Sequence, residues 1–106
     1  MQIEKLTESE EIVMRAIWDL KKEPVLTDVC NRVNDIYGKN WKPQTVSTFL
    51  SKLVRKNYLK LQRNGKIYTY KVLVKENIYN KEQLKRIYIF LYQSDKEAMQ
   101  QDLEEL

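Results

Sequence analysis

Four residues spaced to share one side of a helix, Gln44, Thr48, Ser51 and Arg55, offer an amide, two hydroxyls and a guanidinium. Ser47 and Lys52 flank them. Side chains of this kind, carried on a short rigid element, form hydrogen bonds to polar edges and hold fixed anions. The chemistry on offer is recognition, not bond-making. A helix face kept only for solubility more often interleaves glutamate with lysine, and here there is no acid.

The surrounding charge has the same bias. Residues 1–37 carry five basic and eight acidic side chains, and residues 76–93 have a net charge of +1. Residues 94–106 set five acids against Lys96. Between these regions, residues 38–75 hold ten basic side chains (Lys39, Lys42, Lys52, Arg55, Lys56, Lys60, Arg63, Lys66, Lys71 and Lys75) and no acid. A one-sign field costs self-repulsion, so its concentration in one segment points to a polyanion, nucleic acid before all others. An anionic membrane surface fits less well. The basic residues span a helix and a hairpin, rather than one helix with a wide apolar face.

Other chemistries lack their parts. The chain has no histidine and a single cysteine, Cys30, so the common general base and the usual zinc and copper ligand sets are missing. No catalytic constellation can be assembled, and no cofactor, metal or small-molecule ligand is called for. Cys30 reads as a small buried hydrophobe. A lone cysteine also fits a reducing, cytoplasmic setting. The opening Met1-Gln2-Ile3-Glu4-Lys5 is not the basic-then-apolar run of a secretory signal, and no apolar run approaches the roughly 20 residues of a membrane span.

The elements that must carry the polar face can be read from periodicity and punctuation. Thr7-Glu8-Ser9-Glu10 has the form of a capping box, which opens a first helix to Leu20 with Ile12, Val13, Ala16, Ile17 and Leu20 as its apolar stripe. Pro24 closes that element, and Val25-Leu26 allows only a very short strand. Thr27 is the expected cap of a second helix, with Leu26, Val29, Val33 and Ile36 on its apolar side. Gly38 stands where a left-handed stop is expected. Pro43 suits the first position of a third helix, running to about Lys56, whose buried stripe is Val46, Phe49, Leu50 and Leu53.

Asn64-Gly65 then separates two alternating β-rich segments, residues 58–62 and 67–72, the strongest short-range signal for a hairpin. Its tip carries Arg63, Asn64 and Lys66. Three helices and a basic-tipped hairpin make a winged helix-turn-helix, a mainly α fold with one small β-hairpin (α+β). That layout puts the third helix in a DNA major groove and the hairpin along the adjacent backbone or minor groove. The expected domains are residues 1–75 for DNA binding and 76–106 as a helical dimerisation region. In the latter, Leu84, Ile87, Tyr88 and Leu91 share one face, and Met99, Leu103 and Leu106 another. Trp41 is expected to fill the core, with bracing of the third helix against the DNA backbone as the alternative.

Several segments also carry a family resemblance. Leu6-Thr7-Glu8-Ser9-Glu10 with Val13-Met14-Arg15-Ala16-Ile17-Trp18, the run from Trp41 to Leu53, and Gly65-Lys66-Ile67-Tyr68-Thr69-Tyr70 together resemble the penicillinase-repressor (BlaI/MecI/CopY-type) family. The likeness covers about residues 5–75. It implies a homodimeric transcriptional repressor on an inverted-repeat operator in double-stranded DNA, with Lys42, Gln44, Thr45, Ser47 and Thr48 contacting bases and phosphates. Relatives often carry arginine where Ser47 stands. Resistance-gene members are cleaved at an Asn-Phe bond, whereas Phe90 here follows Ile89; copper-responsive members use a C-terminal Cys-x-Cys, absent here. Neither induction route carries over. Alternatives to the repressor reading are a winged-helix protein-interaction module, a ligand-responsive regulator of the same fold, and a non-specific architectural DNA-binding protein.

Overall fold

The computed structural model describes residues 3–106, and the chain divides into two compact units, one ending at Lys75 and the other comprising Glu76–Leu106. The first is built from α1 (Glu8–Leu20), α2 (Leu26–Ile36), α3 (Pro43–Arg55), β1 (Leu59–Asn64) and β2 (Ile67–Val72). This is the winged-helix order expected from the sequence. The second contains α4 (Glu76–Phe90) and α5 (Lys96–Glu104). Among the described residues, no helix is long and apolar enough to cross a membrane.

Local chemistry sets the ends of α1. Thr7 is its N-cap: its hydroxyl accepts the Glu10 amide at 3.2 Å, while the Glu10 carboxylate accepts the Thr7 amide at 2.8 Å. The reciprocal box is the one read from the sequence. The start of α2 differs from expectation. Val25, not Thr27, is the N-cap, and the Asp28 carboxylate accepts the Val25 amide at 3.1 Å. Because Asp28 reaches back over one turn, the helix begins at Leu26 and no strand forms at Val25-Leu26. One sheet-like contact remains, in which the Tyr70 amide donates to the Pro24 carbonyl at 3.1 Å.

Gly38 follows α2 with φ of +66°, the left-handed stop expected there. α3 ends differently, on Asn57 with φ of +63°. The Tyr58 amide donates to the Leu53 carbonyl at 3.0 Å and the Asn57 amide to Val54 at 3.1 Å. These are the two bonds of a Schellman stop, with asparagine in place of glycine.

The core of this unit lies where the three helices meet. Val13, Met14, Ala16 and Ile17 of α1, Val29 and Val33 of α2, and Val46, Leu50 and Leu53 of α3 are all fully or almost fully buried. Each large aliphatic side chain removed from water stabilises the fold by about 1.5–3 kcal/mol. Tyr58 and Leu59 carry the core toward the hairpin, and the indole of buried Trp18 donates to the Val74 carbonyl at 3.1 Å. Trp41 is not in the core. It is half-buried, as is Phe49, and the two rings lie 5.0 Å apart at 43°.

β1 and β2 pair antiparallel from Leu59↔Val72 to Asn64↔Ile67, which leaves Gly65-Lys66 as a two-residue turn. Gly65 has φ of +64° and Lys66 is not in that region, the pattern of a II′ turn. The pairing therefore extends through Asn64, two residues beyond the strand end read from the sequence.

In the second unit, Asp95 caps α5 by accepting the Ala98 amide at 3.1 Å. Leu84 and Tyr88 of α4 and Met99 and Leu103 of α5 line one open groove of about 450 Å³, with Lys81, Lys85 and Lys96 among its other walls. Leu91 lies beyond the end of α4 and outside that groove.

Candidate nucleic-acid interface

α3 is positioned from both ends. At its start, the Asn34 side chain on α2 accepts the Trp41 amide at 2.9 Å and donates to the Trp41 carbonyl at 3.0 Å. One side-chain amide thus pairs with both backbone groups of the residue before the Lys42 N-cap. At its end, the Lys56 ammonium meets the Glu10 carboxylate at 2.7 Å and the Lys5 carbonyl at 2.9 Å. Burial would raise the Glu10 pKa, but the bonds from Lys56 and Thr7 outweigh it and hold the carboxyl below its ordinary range. Lys56 is thereby spent on the fold. The other basic residues of 38–75 have no carboxylate partner among the described residues.

The face between these anchors is open. Lys42, Gln44, Thr45, Thr48, Ser51, Lys52 and Arg55 are exposed, and Ser47 is half-buried at its edge. The Thr48 hydroxyl donates to the Gln44 carbonyl at 3.0 Å, which fixes its rotamer and leaves its oxygen to accept and its methyl to make apolar contact. No side chain caps the first turn of α3. The wing residues Arg63, Asn64 and Lys66 are exposed as well. Arg63 is partly committed: its Nε donates to the Gly65 carbonyl at 2.7 Å, and its guanidinium lies 5.7 Å from the Tyr68 ring centre.

Asn34, Lys39 and Phe49 belong to this arrangement without a site signal of their own in the sequence, and Trp41 has one only as the alternative brace between the third helix and the DNA backbone. Asn34 contacts Trp41 across the bend between two helices, and no periodicity encodes such a contact. Lys39 was visible only as one of ten basic residues.

The family model described as penicillinase repressor matches residues 6–105. The chain belongs to the penicillinase repressor family. The match runs past the winged helix and through both helices of the second unit, farther than the resemblance visible in residues 5–75. No curated protein matches the chain. Among solved structures, the monomeric form of Bacillus licheniformis BlaI, determined in solution in complex with the blaP half-operator, is similar with a TM-score of 0.60. The two are 24% identical, over 74% of this chain and 92% of that one, and the likeness is one of fold.

In the second unit, the residues expected to pair two chains differ in their surroundings. Leu84 and Leu103 are exposed, Ile87, Tyr88 and Met99 are half-buried, and Leu91 is three-quarters exposed. Ile89, Phe90 and Leu106 add further exposed apolar surface. The Tyr88 hydroxyl donates to the Ser94 carbonyl at 2.9 Å, and that of Tyr92 to the Asp102 carboxylate at 2.8 Å, so both help shape the bend between α4 and α5.

Proposed function

We propose that this protein is a DNA-binding transcriptional repressor, not an enzyme, and that it acts in the cytoplasm as a homodimer on an inverted-repeat operator. The observation that carries this reading is the face of α3. Its amide, hydroxyl and guanidinium groups are exposed together, without a carboxylate, on a helix anchored at both ends. Membership of a repressor family supports it.

In this mechanism α3 lies in the major groove. Gln44 offers the bidentate amide that suits adenine, and Thr48 offers its methyl to thymine and its oxygen to a donor. Lys42, Thr45, Ser51, Lys52 and Arg55 hold the flanking phosphates, and Ser47 makes a less discriminating contact at the edge. The wing, through Arg63, Asn64 and Lys66, follows the neighbouring backbone. Residues 1–75 serve as the DNA-binding domain and residues 76–106 as the dimerisation region. In the latter, Leu84, Ile87, Tyr88, Met99 and Leu103, with Leu91 at the bend, are covered by a second copy. The exposed apolar surface of α4 and α5 supports this assignment, because soluble homo-oligomers are most often two-fold dimers.

Selection of bound duplexes from a random pool at about physiological salt tests the reading. Enrichment of an inverted repeat with half-sites about 10 base pairs apart is the expected result. Retention without an enriched motif would make the protein architectural. Absence of any retention would move the search to a protein partner.

A further inference from the structure

Beside the polar face of α3 runs a second strip of which the reading above uses only Lys52. Trp41 and Phe49 are half-buried, and each keeps part of its surface open to solvent. The Lys39 ammonium lies 5.7 Å from the Trp41 ring centre, and the Lys52 ammonium 5.7 Å from that of Phe49. The result is a row of cation, ring, ring, cation. Asn34 fixes the Trp41 backbone from both sides, so the row is pre-set instead of gathered on binding.

An ammonium resting on an aromatic face keeps its charge while losing freedom of movement. Neither lysine has a carboxylate partner among the described residues. Apolar ring edges between two fixed cations match a sugar–phosphate chain, in which anionic phosphates alternate with the apolar faces of deoxyribose. At 100° per residue, Thr45, Phe49 and Lys52 lie on one flank of α3, next to the Gln44–Thr48 face. A strand bordering the groove occupied by that face runs along such a flank.

We propose that Lys39 and Lys52, held on the Trp41–Phe49 pair, seat the sugar–phosphate backbone of one DNA strand along the flank of α3. The inference rests on the DNA-binding reading and adds Lys39, Trp41 and Phe49 to it. Phosphate contacts set position without reading sequence. Lys39 therefore contributes affinity equally on every duplex.

The test compares the full chain with Lys39→Gln on the selected operator and on an unrelated duplex of equal length, across a salt series. Lys39 is half-buried, so an unchanged denaturation midpoint is required to show that the variant folds. The expected result is a log affinity–log salt slope shallower by about 0.9 for each protomer bound, or about 1.8 for a dimer, with the same fold-loss on both duplexes. An unchanged slope, or a loss confined to the operator, overturns the proposal. For the rings, acrylamide quenching of the parent protein separates accessible Trp41 from buried Trp18. Saturation with duplex should remove the quenchable component, and its persistence would overturn the contact at Trp41. Failure of the parent to bind either duplex would instead defeat the DNA-binding reading itself.

Discussion

The side-chain amide of Asn34 pairs with the backbone of Trp41 as a neighbouring strand would, accepting its N–H at 2.9 Å and donating to its carbonyl at 3.0 Å. This one pairing sets where the chain turns into α3. Asn34→Ala leaves both backbone groups without that partner, and an expected loss of about 1–3 kcal/mol follows. Urea denaturation measures it. A change under about 0.3 kcal/mol, smaller than a typical hydrogen bond contributes, would mean that Trp41 is held by other contacts.

Gln44 and Arg55 should separate by the kind of contact each makes. Gln44→Ala is expected to cost about 1–3 kcal/mol on the operator and to relax preference at one base position. Arg55→Gln should weaken all duplexes alike and make the salt slope shallower by about 0.9 per protomer. Competition binding on operator variants decides between them, and exchanged behaviours would reverse the assignments.

The Glu10–Lys56 pair makes stability depend on acid. The folded carboxyl titrates below its ordinary 4.5, so its contribution is fully present above that pH. It is lost as pH falls through the lower folded value. Denaturation midpoints should therefore decline below about pH 4.5 and decline less steeply in Glu10→Gln, which is itself less stable at neutral pH. Parallel curves for the two proteins would remove Glu10 from the account.

Leu84 and Leu103 are exposed in the single chain, so a charge there need not disturb the core of the winged helix. The double variant Leu84→Asp, Leu103→Asp is expected to sediment as a monomer and to retain half-site binding while losing most of its affinity for the full operator. A dimer that survives both substitutions would place the interface elsewhere.

Much of this arrangement could be read from residue order, because the signals are local. Thr7 and Glu10 announce α1, Pro43 opens α3, and Gly65 marks the hairpin tip. The structure departs from these signals where one local preference competes with another. Thr27 has the composition of a cap, yet Asp28, reaching back to Val25, starts α2 earlier. Trp41 is large and apolar enough for the core, but Asn34 holds its backbone at the surface side of α3. Lys56 counted toward a positive face until the fold matched it to Glu10, 46 residues away. Such long-range pairings follow from packing and leave no periodic trace. In the second unit, the apolar stripes were legible, whereas the groove shared by Leu84, Tyr88, Met99 and Leu103 depends on the bend at residues 91–95.

The segment before α1 is stitched to residues far downstream. The Tyr58 hydroxyl donates to the Glu4 carbonyl at 2.5 Å, Lys56 donates to that of Lys5, and Leu6 is buried. Residues 4–6 therefore gain these partners only once the end of α3 is in place. These contacts span 51 and 54 positions, and closing so long a loop comes late in folding. The strap is tied to the end of α3 by Tyr58 and Lys56 and to the core by Leu6. A bulky handle attached close to Glu4 thus sits beside contacts that close a long loop, and a spacer between the two is the sounder choice wherever the end of α3 must remain firm.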